Sequence, residues 1–241
     1  MSVGHEQGAL FLWDIDGTLI SDSRQVNDQY AEAIIRVLQR DDIQPPEKKS
    51  GLTDYGIVER ALMDGGYSAG EASLLIPYIL FELDVLTREQ QKDLANDRVV
   101  LEGVEELLTD LRNEQGVCHS VASGNSPARS HIKLEAMELK SYFDVRVGGF
   151  GNSTTERWRI IEWAFERARL LFSPGLERHR VVVIGDTPTD ITAASQAGVR
   201  SIAVATGRDY SYGSLEAARP SLLIPNCADG AASVLEFASR L

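Results

Sequence analysis

This 241-residue sequence predicts an α/β fold. Its core would be a doubly wound parallel sheet of the Rossmann-like kind, with one all-α domain inserted into it. Three observations lead to this prediction: short apolar runs recur along the chain, helical patterns lie between them, and one long stretch near the N-terminus contains helical patterns alone. Short runs that are wholly apolar are typical of strands buried on both faces, as in parallel sheets. Strands that alternate with helices of ten or more residues indicate a doubly wound domain.

Six apolar runs and the helical patterns between them make up the predicted core domain. The predicted strands are residues 10–13, 117–122, 145–147, 181–184, 201–204 and, as a sixth, 221–224. Two of the helical patterns consist of Val104, Leu107, Leu108 and Leu111, and of Ile160, Ile161, Ala164 and Ala168. Apolar residues three or four positions apart lie on one face of a helix, so each pattern predicts a helix packed on the sheet.

The stretch that follows the first strand is the predicted inserted domain. It shows three helical patterns, marked by Tyr30, Ile34, Val37 and Leu38, by Ile57, Val58, Ala61 and Leu62, and by residues 74–86. Gly65 and Gly66 end the second pattern, and Pro77 should interrupt the third because proline removes a helical hydrogen bond. We therefore predict a helical domain over residues 22–99, inserted between core segments 1–21 and 100–241.

Composition and charge exclude several classes of protein. The hydrophobic fraction of 43% is enough for an ordinary core, so a disordered chain is not expected. The net charge of −12 repels nucleic acids and anionic membranes, and it makes any anionic substrate depend on a local cation. Two cysteines far apart give no sign of a secreted scaffold, and the apolar run 9–13 is too short for a signal peptide. A cytoplasmic location is the resulting prediction.

Two carboxylates come directly after the first predicted strand. Asp14 and Asp16 are two residues apart, so on an extended segment they point the same way, towards the ligand crevice of a doubly wound sheet. Gly17 permits the sharp turn that follows. Two carboxylates held together repel each other unless a cation or a shared proton relieves them. An ordinary Asp-Gly surface turn is the alternative interpretation.

A second pair of carboxylates follows the predicted strand 181–184. Asp186 and Asp190 would meet Asp14 and Asp16 at the same sheet edge, and four acidic residues there make an oxygen-rich site. Magnesium suits such a site, because it binds few side chains and keeps waters that leave room for phosphate. Asp190 is also a candidate N-cap for a helix beginning at Ile191, and capping is compatible with support of a metal.

A third polar segment follows the predicted strand 117–122. Ser126 and Pro127 have the pattern of an N-cap followed by proline at the first helical position, which places a helix N-terminus beside Ser123 and Gly124. A helix N-terminus after a Ser-Gly turn can bind an anion, and the Ser123 hydroxyl can donate to a phosphate oxygen. A plain loop between strand and helix is the alternative.

These segments together resemble the haloacid dehalogenase superfamily of phosphohydrolases. Residues 14–19, with the sequence Asp-Ile-Asp-Gly-Thr-Leu, match its first motif residue for residue, residues 121–125 look like its second, and residues 185–190 look like its fourth. The helical insert is similar to the family's helical cap of the C1 type, as found in its phosphoglycolate phosphatase-like members. The order and spacing of the motifs fit along nearly the whole chain.

The resemblance implies a role for each of these residues. Asp14 would be the nucleophile that becomes phosphorylated, and Asp16 would protonate the leaving oxygen and then deprotonate water. Asp186 would bind Mg²⁺ together with the Asp14 carboxylate and the backbone carbonyl of Asp16, with Asp190 in support. The phosphate would be held by Ser123 and by backbone amides near Gly124 and Asn125.

The third motif departs from the family pattern, which supplies a lysine before the fourth motif. No lysine lies between Val147 and Val181. Arg157, at the start of a predicted helix that runs to about Leu171, is the candidate replacement, and Arg159 is the alternative. Either arginine could equally be an ordinary solvated helix residue.

Two further positions have both a structural and a functional interpretation. Thr53, in the segment 51–54, is either the N-cap of the second cap helix or part of a cap loop that faces the site and contacts substrate, as in the resembled family. His119 lies in a predicted buried strand, which favours a structural role.

A Mg²⁺-dependent phosphatase acting on a small phosphate ester, as a monomer or a homodimer, is the predicted function. A sugar-phosphate mutase would use the same residues while protecting the phosphorylated aspartate from water. A dehalogenase has no need of Asp16, and a phosphonate hydrolase would need a poised cap lysine, for which Lys48, Lys49 and Lys92 are the candidates. A degenerate, phosphate-binding protein is the non-enzymatic alternative, although four retained carboxylates argue against it.

Overall fold

Six parallel strands form one sheet in the computed structural model, which describes residues 8–21, 28–114 and 116–241. The order across the sheet is β3-β2-β1-β4-β5-β6, and every pairing is parallel. The strands are β1 (Ala9–Trp13), β2 (Val117–Ser123), β3 (Gly149–Phe150), β4 (Val181–Gly185), β5 (Arg200–Val204) and β6 (Leu222–Ile224). The predicted doubly wound α/β core is confirmed.

The central strand β1 shows why the sheet is buried on both faces. Phe11 and Trp13 face one apolar cluster, while Leu10 and Leu12 face another on the opposite side. All four side chains are fully buried. Apolar residues at every position therefore favour a strand covered by helices on both faces.

Helices cover both faces of this sheet. In the core they are α5 (Val104–Asn113), α6 (Pro127–Ala136), α7 (Arg157–Leu171), α8 (Pro188–Gln196), α9 (Tyr212–Ala217) and α10 (Cys227–Ala238). The α5 and α10 helices pack on the face of Phe11 and Trp13, and α7 and α8 pack on the face of Leu10 and Leu12. No helix in the described part of the chain is apolar over a length that would cross a membrane.

The described part of the insert contains helices and no strand. They are α1 (Gln29–Leu38), α2 (Asp54–Asp64), α3 (Ala69–Glu89) and α4 (Gln91–Asp97), which together form the cap. A separate apolar cluster lies among α1, α2 and α3, with Ile34, Leu62 and Leu83 at its centre. The domain boundaries at residues 21/22 and 99/100 stay predictions, since residues 22–27 lie outside the described residues.

The return from the cap runs beside the departure to it. Ile20 forms an antiparallel bridge with Val100, and the Leu101 N–H donates to the Leu19 carbonyl at 3.0 Å. On the other side, the Ser21 N–H donates to the Val99 carbonyl at 2.8 Å. The two linkers therefore form a short paired junction between cap and core.

The prediction of a strand at residues 145–147 was wrong. Val145–Val147 is a 3₁₀ turn whose N-cap, Asp144, accepts from the Arg146 N–H, and the strand is the two-residue Gly149–Phe150. Val147 is apolar because it packs against α7. At Gly149 an added Cβ would lie 2.0 Å from the Ile160 carbonyl oxygen, so the edge strand and α7 approach closely only through glycine.

Two helices differ from the sequence-based expectation. Pro77 does not interrupt α3, which runs on to Glu89. Pro77 lies on the exposed side, where water can satisfy the carbonyl that proline leaves without a donor. The short helix α4 was not predicted, because its seven residues carry a single buried apolar side chain, Leu94.

Candidate active site

Asp14 lies at the carboxyl end of β1 and is nearly buried, with 7% of its surface exposed. Its N–H donates to the Ile184 carbonyl at 2.8 Å, which fixes the residue beside the end of β4. Its carboxylate lies 2.9 Å from Nη2 of Arg157. Burial raises the pKa of Asp14 to about 7, although the Arg157 guanidinium acts to lower it. Asp14 therefore needs cations close by to remain ionised at neutral pH.

Asp186 follows β4 and packs tightly against Gly17 and Gly207. The Thr18 hydroxyl donates to Asp186 Oδ1 at 2.9 Å. An added Cβ at Gly17 would lie 2.5 Å from Asp186 Oδ2, and one at Gly207 would lie 1.9 Å from it. Glycine at both positions is therefore required for the carboxylate to lie where it does.

The prediction that Asp190 is an N-cap was wrong, because Asp190 is the third residue of α8. The α8 helix begins at Pro188 and not at Ile191, because the Thr187 side chain is the N-cap and proline suits the first helical position. Asp190 completes a capping box by accepting from the Thr187 N–H at 3.0 Å and the Thr187 hydroxyl at 2.7 Å. Its other oxygen accepts from Arg157 Nε at 2.7 Å. Both carboxylate oxygens are thus engaged by protein.

Three of the four predicted carboxylates form one group. Asp14, Asp186 and Asp190 each offer an oxygen, and these oxygens all lie within 4.8 Å of one another. Buried carboxylate oxygens at this separation fit a hard divalent cation such as Mg²⁺. Asp14 and Asp186 are the better placed of the three to ligate it directly, because Asp190 is held by Thr187 and Arg157.

The Asp16 carboxylate is held by two cations. Oδ1 contacts Nη1 of Arg98, and Oδ2 contacts Nζ of Lys133 and accepts from Asn125 Nδ2 at 2.9 Å. Burial alone would raise the pKa of Asp16, but Lys133 and Arg98 outweigh it and hold the pKa well below its usual range. Burial in turn lowers the pKa of Lys133 to about 8.

Sequence reasoning missed both Lys133 and Arg98. Lys133 is 3% exposed, and it stands in α6 between the buried residues Ile132 and Leu134. A lysine within an apolar stretch is a usable signal, but the family pattern directs attention to residues 147–181 for the site cation. Arg98 follows the last cap helix in a linker, where its residue type carries no positional signal.

Ser123, the last residue of β2, and the two residues after it lie beside Asp16 and Arg157. The Ser123 hydroxyl is fully buried and accepts from the Asn125 N–H at 3.2 Å and from Asn125 Nδ2 at 3.0 Å. An added Cβ at Gly124 would lie 2.4 Å from the Leu52 carbonyl oxygen and 3.0 Å from Arg157 Nη1. Gly124 and Asn125 line the cleft, whereas Ser123 lies behind them and orders the Asn125 side chain.

Of the two candidate arginines, the structure brings Arg157 to the carboxylates. Arg157 is the first residue of α7, is 7% exposed and contacts both Asp14 and Asp190. Arg159 has a side chain that is 49% exposed and pairs with Glu156. Arg157 is therefore the arginine that can act on Asp14.

Thr53 is placed behind the wall of the cleft. Its hydroxyl donates to the Thr154 carbonyl at 2.6 Å and accepts from the Gly56 N–H at 3.0 Å, so it is the N-cap of α2. Gly51, Leu52 and Asp54 line the cleft around it. The predicted contact between the Thr53 side chain and substrate does not fit this position, because the residue is 1% exposed and its hydroxyl already donates to protein.

Cap and core meet in a buried polar network around Arg129 of α6. Arg129 Nη1 pairs with Asp54 Oδ1 at 2.5 Å, and these side chains are 4% and 1% exposed. Asp54 also accepts from the Tyr30 hydroxyl at 2.7 Å and the Ser126 N–H at 2.8 Å, while Arg129 Nε donates to the Thr87 hydroxyl at 3.1 Å. The network therefore joins α1, α2 and α3 of the cap to α6 of the core.

We expect loss of Arg129 to destabilise the protein far more than loss of an exposed arginine. Arg129→Met leaves the Asp54 charge buried without its cation, which costs about 3–5 kcal/mol. Arg146→Met is the control, because the 73% exposed Arg146 side chain pairs with Asp144 at the surface, where such pairs contribute about 0–1 kcal/mol. Urea unfolding gives both free energies, and equal values for the two variants would contradict the prediction.

A cleft of about 540 Å³ separates the carboxyl edge of the sheet from the cap. Asp14, Asp16 and Asp186 line it on the core side, and the loop between α1 and α2 lines it on the cap side. The cations that line it are Lys49, Arg98, Arg129, Lys133, Arg157 and Arg208. Acidic side chains line the same cleft, and five of these six cations are ion-paired with them. An anionic ligand would therefore compete with carboxylates for these cations.

The chain is similar to a curated protein over about half its length. It is 32% identical over 126 residues to PpaX, a candidate pyrophosphatase of Caldanaerobacter subterraneus, and the match covers 52% of this chain and 54% of that protein. The chain thus spans about half the length of the curated relative that it matches.

Solved structures share the whole fold. A predicted phosphatase from Clostridium acetobutylicum superposes with a TM-score of 0.67 at 23% identity, over 95% of this chain and 99% of that one. A β-phosphoglucomutase from Clostridium difficile gives 0.67 at 16% identity, over 97% and 98%. A predicted phosphoglycolate phosphatase from Haemophilus somnus gives 0.58 at 19% identity, over 97% and 99%. At these identities the likeness establishes the fold.

The family assignment comes from the sequence itself. The model of the haloacid dehalogenase-like hydrolase family matches residues 11–204, a range that includes Asp14, Asp16, Arg157, Asp186 and Asp190. The match begins in β1 and ends in β5, so it includes the strands that place these side chains and the inserted cap. The chain therefore belongs to the haloacid dehalogenase-like hydrolase family.

Proposed function

We propose that this protein is a Mg²⁺-dependent phosphatase that removes phosphate from a small phosphate monoester through an aspartyl-phosphate intermediate. The observation that carries the proposal is a buried carboxylate, Asp14, that contacts Arg157 within a group of three aspartates at the floor of a cation-lined cleft. Phosphoryl transfer needs an aimed nucleophile and positive charge around the transferred group. At this sheet edge Asp14 would be the nucleophile, and Arg157 would supply positive charge.

The proposed reaction has two steps, in which Asp14 bonds to phosphorus and is then released, and Asp16 transfers a proton each time. In the first, an Asp14 oxygen bonds to phosphorus as the bond from phosphorus to the ester oxygen breaks, and Asp16 gives a proton to that oxygen. The pairs of Asp16 with Arg98 and Lys133 favour its ionised form, so this step requires that bound substrate weaken them and that Asp16 take up a proton first. In the second, Asp16 takes a proton from water, whose oxygen attacks phosphorus and releases Asp14. Arg157 keeps Asp14 ionised and aimed for its attack in the first step, and Asp190 keeps Arg157 in place.

In this proposal different residues bind the metal and the phosphate. Asp14, Asp186 and the Asp16 carbonyl would hold Mg²⁺, and Asp190 would support them by anchoring Arg157. Bound there, Mg²⁺ would offset the repulsion between a carboxylate and a phosphate dianion. The Gly124 and Asn125 amides would hold the phosphate, with Ser123 orienting Asn125.

Removal of divalent metal should abolish activity. Phosphate release should stop in EDTA and return when Mg²⁺ is added in excess. Ca²⁺ should restore it poorly, because a larger ion with looser coordination misplaces the nucleophile. The measurement is inorganic phosphate release under each condition, and full activity in EDTA would rule out the proposed role of Asp186.

A phosphate anhydride is a second candidate substrate. It is favoured by the partial similarity to PpaX, whose name is that of a pyrophosphatase. Pyrophosphate carries more charge than a monoester and would need more positive charge around it. Asp14 would be phosphorylated in the same way, with phosphate as the leaving group.

A substrate panel tests the proposal and separates its alternatives. Phosphate release from sugar phosphates, nucleotide monophosphates, phosphoglycolate and pyrophosphate, with and without Mg²⁺, identifies the class of substrate. A sugar 1-phosphate converted to its 6-phosphate without phosphate release would indicate a mutase. No turnover of any member would favour a degenerate, phosphate-binding protein. We further propose a cytoplasmic location and a small-molecule substrate, and the net charge of −12 argues against nucleic acid or an anionic membrane as a partner.

A further inference from the structure

Arg208 differs from the other cations of the cleft because no carboxylate pairs with it. The other five cations that line the cleft each contact an aspartate. Among the residues that the structure describes, no carboxylate lies within ion-pairing distance of Arg208, which lines the same cleft and is exposed. A paired cation must give up its carboxylate to bind a ligand anion, whereas Arg208 would give up only water. Arg208 is therefore the cation of the cleft that a negatively charged ligand group can reach most readily.

The loop between β5 and α9, residues 205–211, holds Arg208 close to the aspartates of the core. The Thr206 hydroxyl donates to the Gly17 carbonyl at 2.6 Å. An added Cβ at Gly207 would lie 1.9 Å from Asp186 Oδ2, so the backbone directly before Arg208 touches that carboxylate. Arg208 therefore begins beside the proposed metal site.

The two residues that follow Arg208 contact the cap. The Ser50 hydroxyl donates to the Asp209 carboxylate, and Lys48 Nζ lies 4.1 Å from the centre of the Tyr210 ring. Ser50 and Lys48 both belong to the loop between α1 and α2. The backbone on one side of Arg208 is thus held by the core and on the other side by the cap, which fixes where its side chain enters the cleft.

Arg208 lies on the opposite side of Asp14 from the residues that would hold the transferred phosphate. In the sheet, β2 and β5 lie on opposite sides of β1. Gly124 and Asn125 follow β2, whereas Arg208 follows β5. Arg208 would therefore bind a second group of the substrate. Its planar guanidinium can donate two parallel hydrogen bonds to a carboxylate or to a phosphate.

We propose that Arg208 forms an anion-binding subsite, and that the substrate carries a second negatively charged group on the part that leaves. The substrate class is then a phosphate ester whose leaving group bears a carboxylate or a phosphate, or else a phosphate anhydride. This inference rests on the proposed function and narrows its substrate. A phosphate ester of an uncharged alcohol would bind without this contact.

Phosphonates that the enzyme does not cleave allow a test by binding alone. 3-Phosphonopropionate and its amide, 3-phosphonopropionamide, share one shape and differ by one negative charge at the far end. Methylenediphosphonate and ethylphosphonate are the corresponding pair for a second phosphate. Isothermal titration calorimetry with Mg²⁺ in excess gives Kd for each compound. We expect the charged member of at least one pair to bind the wild type about 10-fold or more tightly than its partner, as a hydrogen bond between charged groups would give. The pair that shows the preference identifies the second anion as a carboxylate or a phosphate.

Arg208→Met should bring this preference down to about 2-fold or less, because the cation that recognises the second anion is gone. The quantity to compare is the ratio of the two Kd values within each variant, since a general loss of affinity cancels in that ratio. Arg208→Lys should keep part of the preference, because the charge remains without the planar fork.

Arg60→Met is the matched control, since Arg60 is an exposed cap arginine that does not line the cleft, and it should keep the full preference. Equal Kd values within both pairs for the wild type would overturn the inference, and so would a preference that persists undiminished in Arg208→Met.

The proposed function and this inference fail in different ways. If Asp14→Asn still releases phosphate from a substrate that the wild type hydrolyses, the aspartyl-phosphate mechanism is wrong, whatever the phosphonates show. If Asp14→Asn is inactive and the wild type does not distinguish the members of either pair, the mechanism stands and the Arg208 subsite falls.

Discussion

Asp14→Asn should abolish turnover and leave the fold intact. The amide removes the charged oxygen that would attack phosphorus, and no other carboxylate occupies that position at the end of β1. The same change removes a buried charge from beside Asp190 and Asp16, both of which act to raise the pKa of Asp14. We therefore expect a melting temperature at or above that of the wild type, together with phosphate release below detection.

Asp110→Asn is the matched control for this change. Asp110 lies on the exposed side of α5, away from the cleft, so the same substitution there should alter neither activity nor stability. Retention of more than a small fraction of wild-type activity by Asp14→Asn would show that another group attacks the phosphate. Loss of activity accompanied by unfolding would instead show that the buried charge is needed for the fold.

Arg157→Ala should lower kcat by about 10²-fold or more, which corresponds to about 2–4 kcal/mol in the chemical step. Arg157 is buried and contacts both Asp14 and Asp190, so its loss leaves the nucleophile without a contacting cation among the residues that the structure describes. With a phosphate dianion added to the three aspartates, one Mg²⁺ cannot balance the negative charge. Arg157→Lys should recover part of the activity, because the charge returns without the fork geometry.

Arg159→Ala is the control for Arg157, since it removes an arginine from the same turn of α7. Its exposed pair with Glu156 should contribute little, and activity should stay near that of the wild type. Circular dichroism and thermal unfolding must show that Arg157→Ala is folded. If folded Arg157→Ala is as active as the wild type, the required cation comes from elsewhere in the cleft, where Arg98 and Lys133 already contact Asp16.

Local sequence patterns were sufficient for the centre of the sheet. The strands β1, β2, β4 and β5 are largely apolar at successive positions, and a short run of this kind that ends in turn residues is typical of a buried strand. Because the carboxyl ends of parallel strands meet at one edge, the same patterns also placed Asp14 and Asp186 together. Their wide separation along the chain did not hinder the prediction, since each belongs to its own strand end.

The edges of elements were decided by contacts that no local pattern carries. The strand at Gly149–Phe150 exists because glycine lets α7 approach, while the nearby Val147 is buried without being in a strand. The start of α8 depends on which side chain caps it: Asp190 was the predicted cap, and the helix is capped by Thr187 instead. Competition between neighbouring candidates is resolved by packing, which propensity does not describe.

The sequence by itself determined the family, the centre of the sheet and the acidic residues, because each follows from a short run of consecutive residues. Only the tertiary structure decided which cations meet them. Lys133 lies 117 residues from Asp16 and Arg98 lies 82 residues away, on a helix and a linker whose local sequences say nothing of that carboxylate. An ion pair requires two side chains to meet in space and sets no spacing between them in the chain. The surroundings of Asp16 therefore emerge only once the cap has folded against the core.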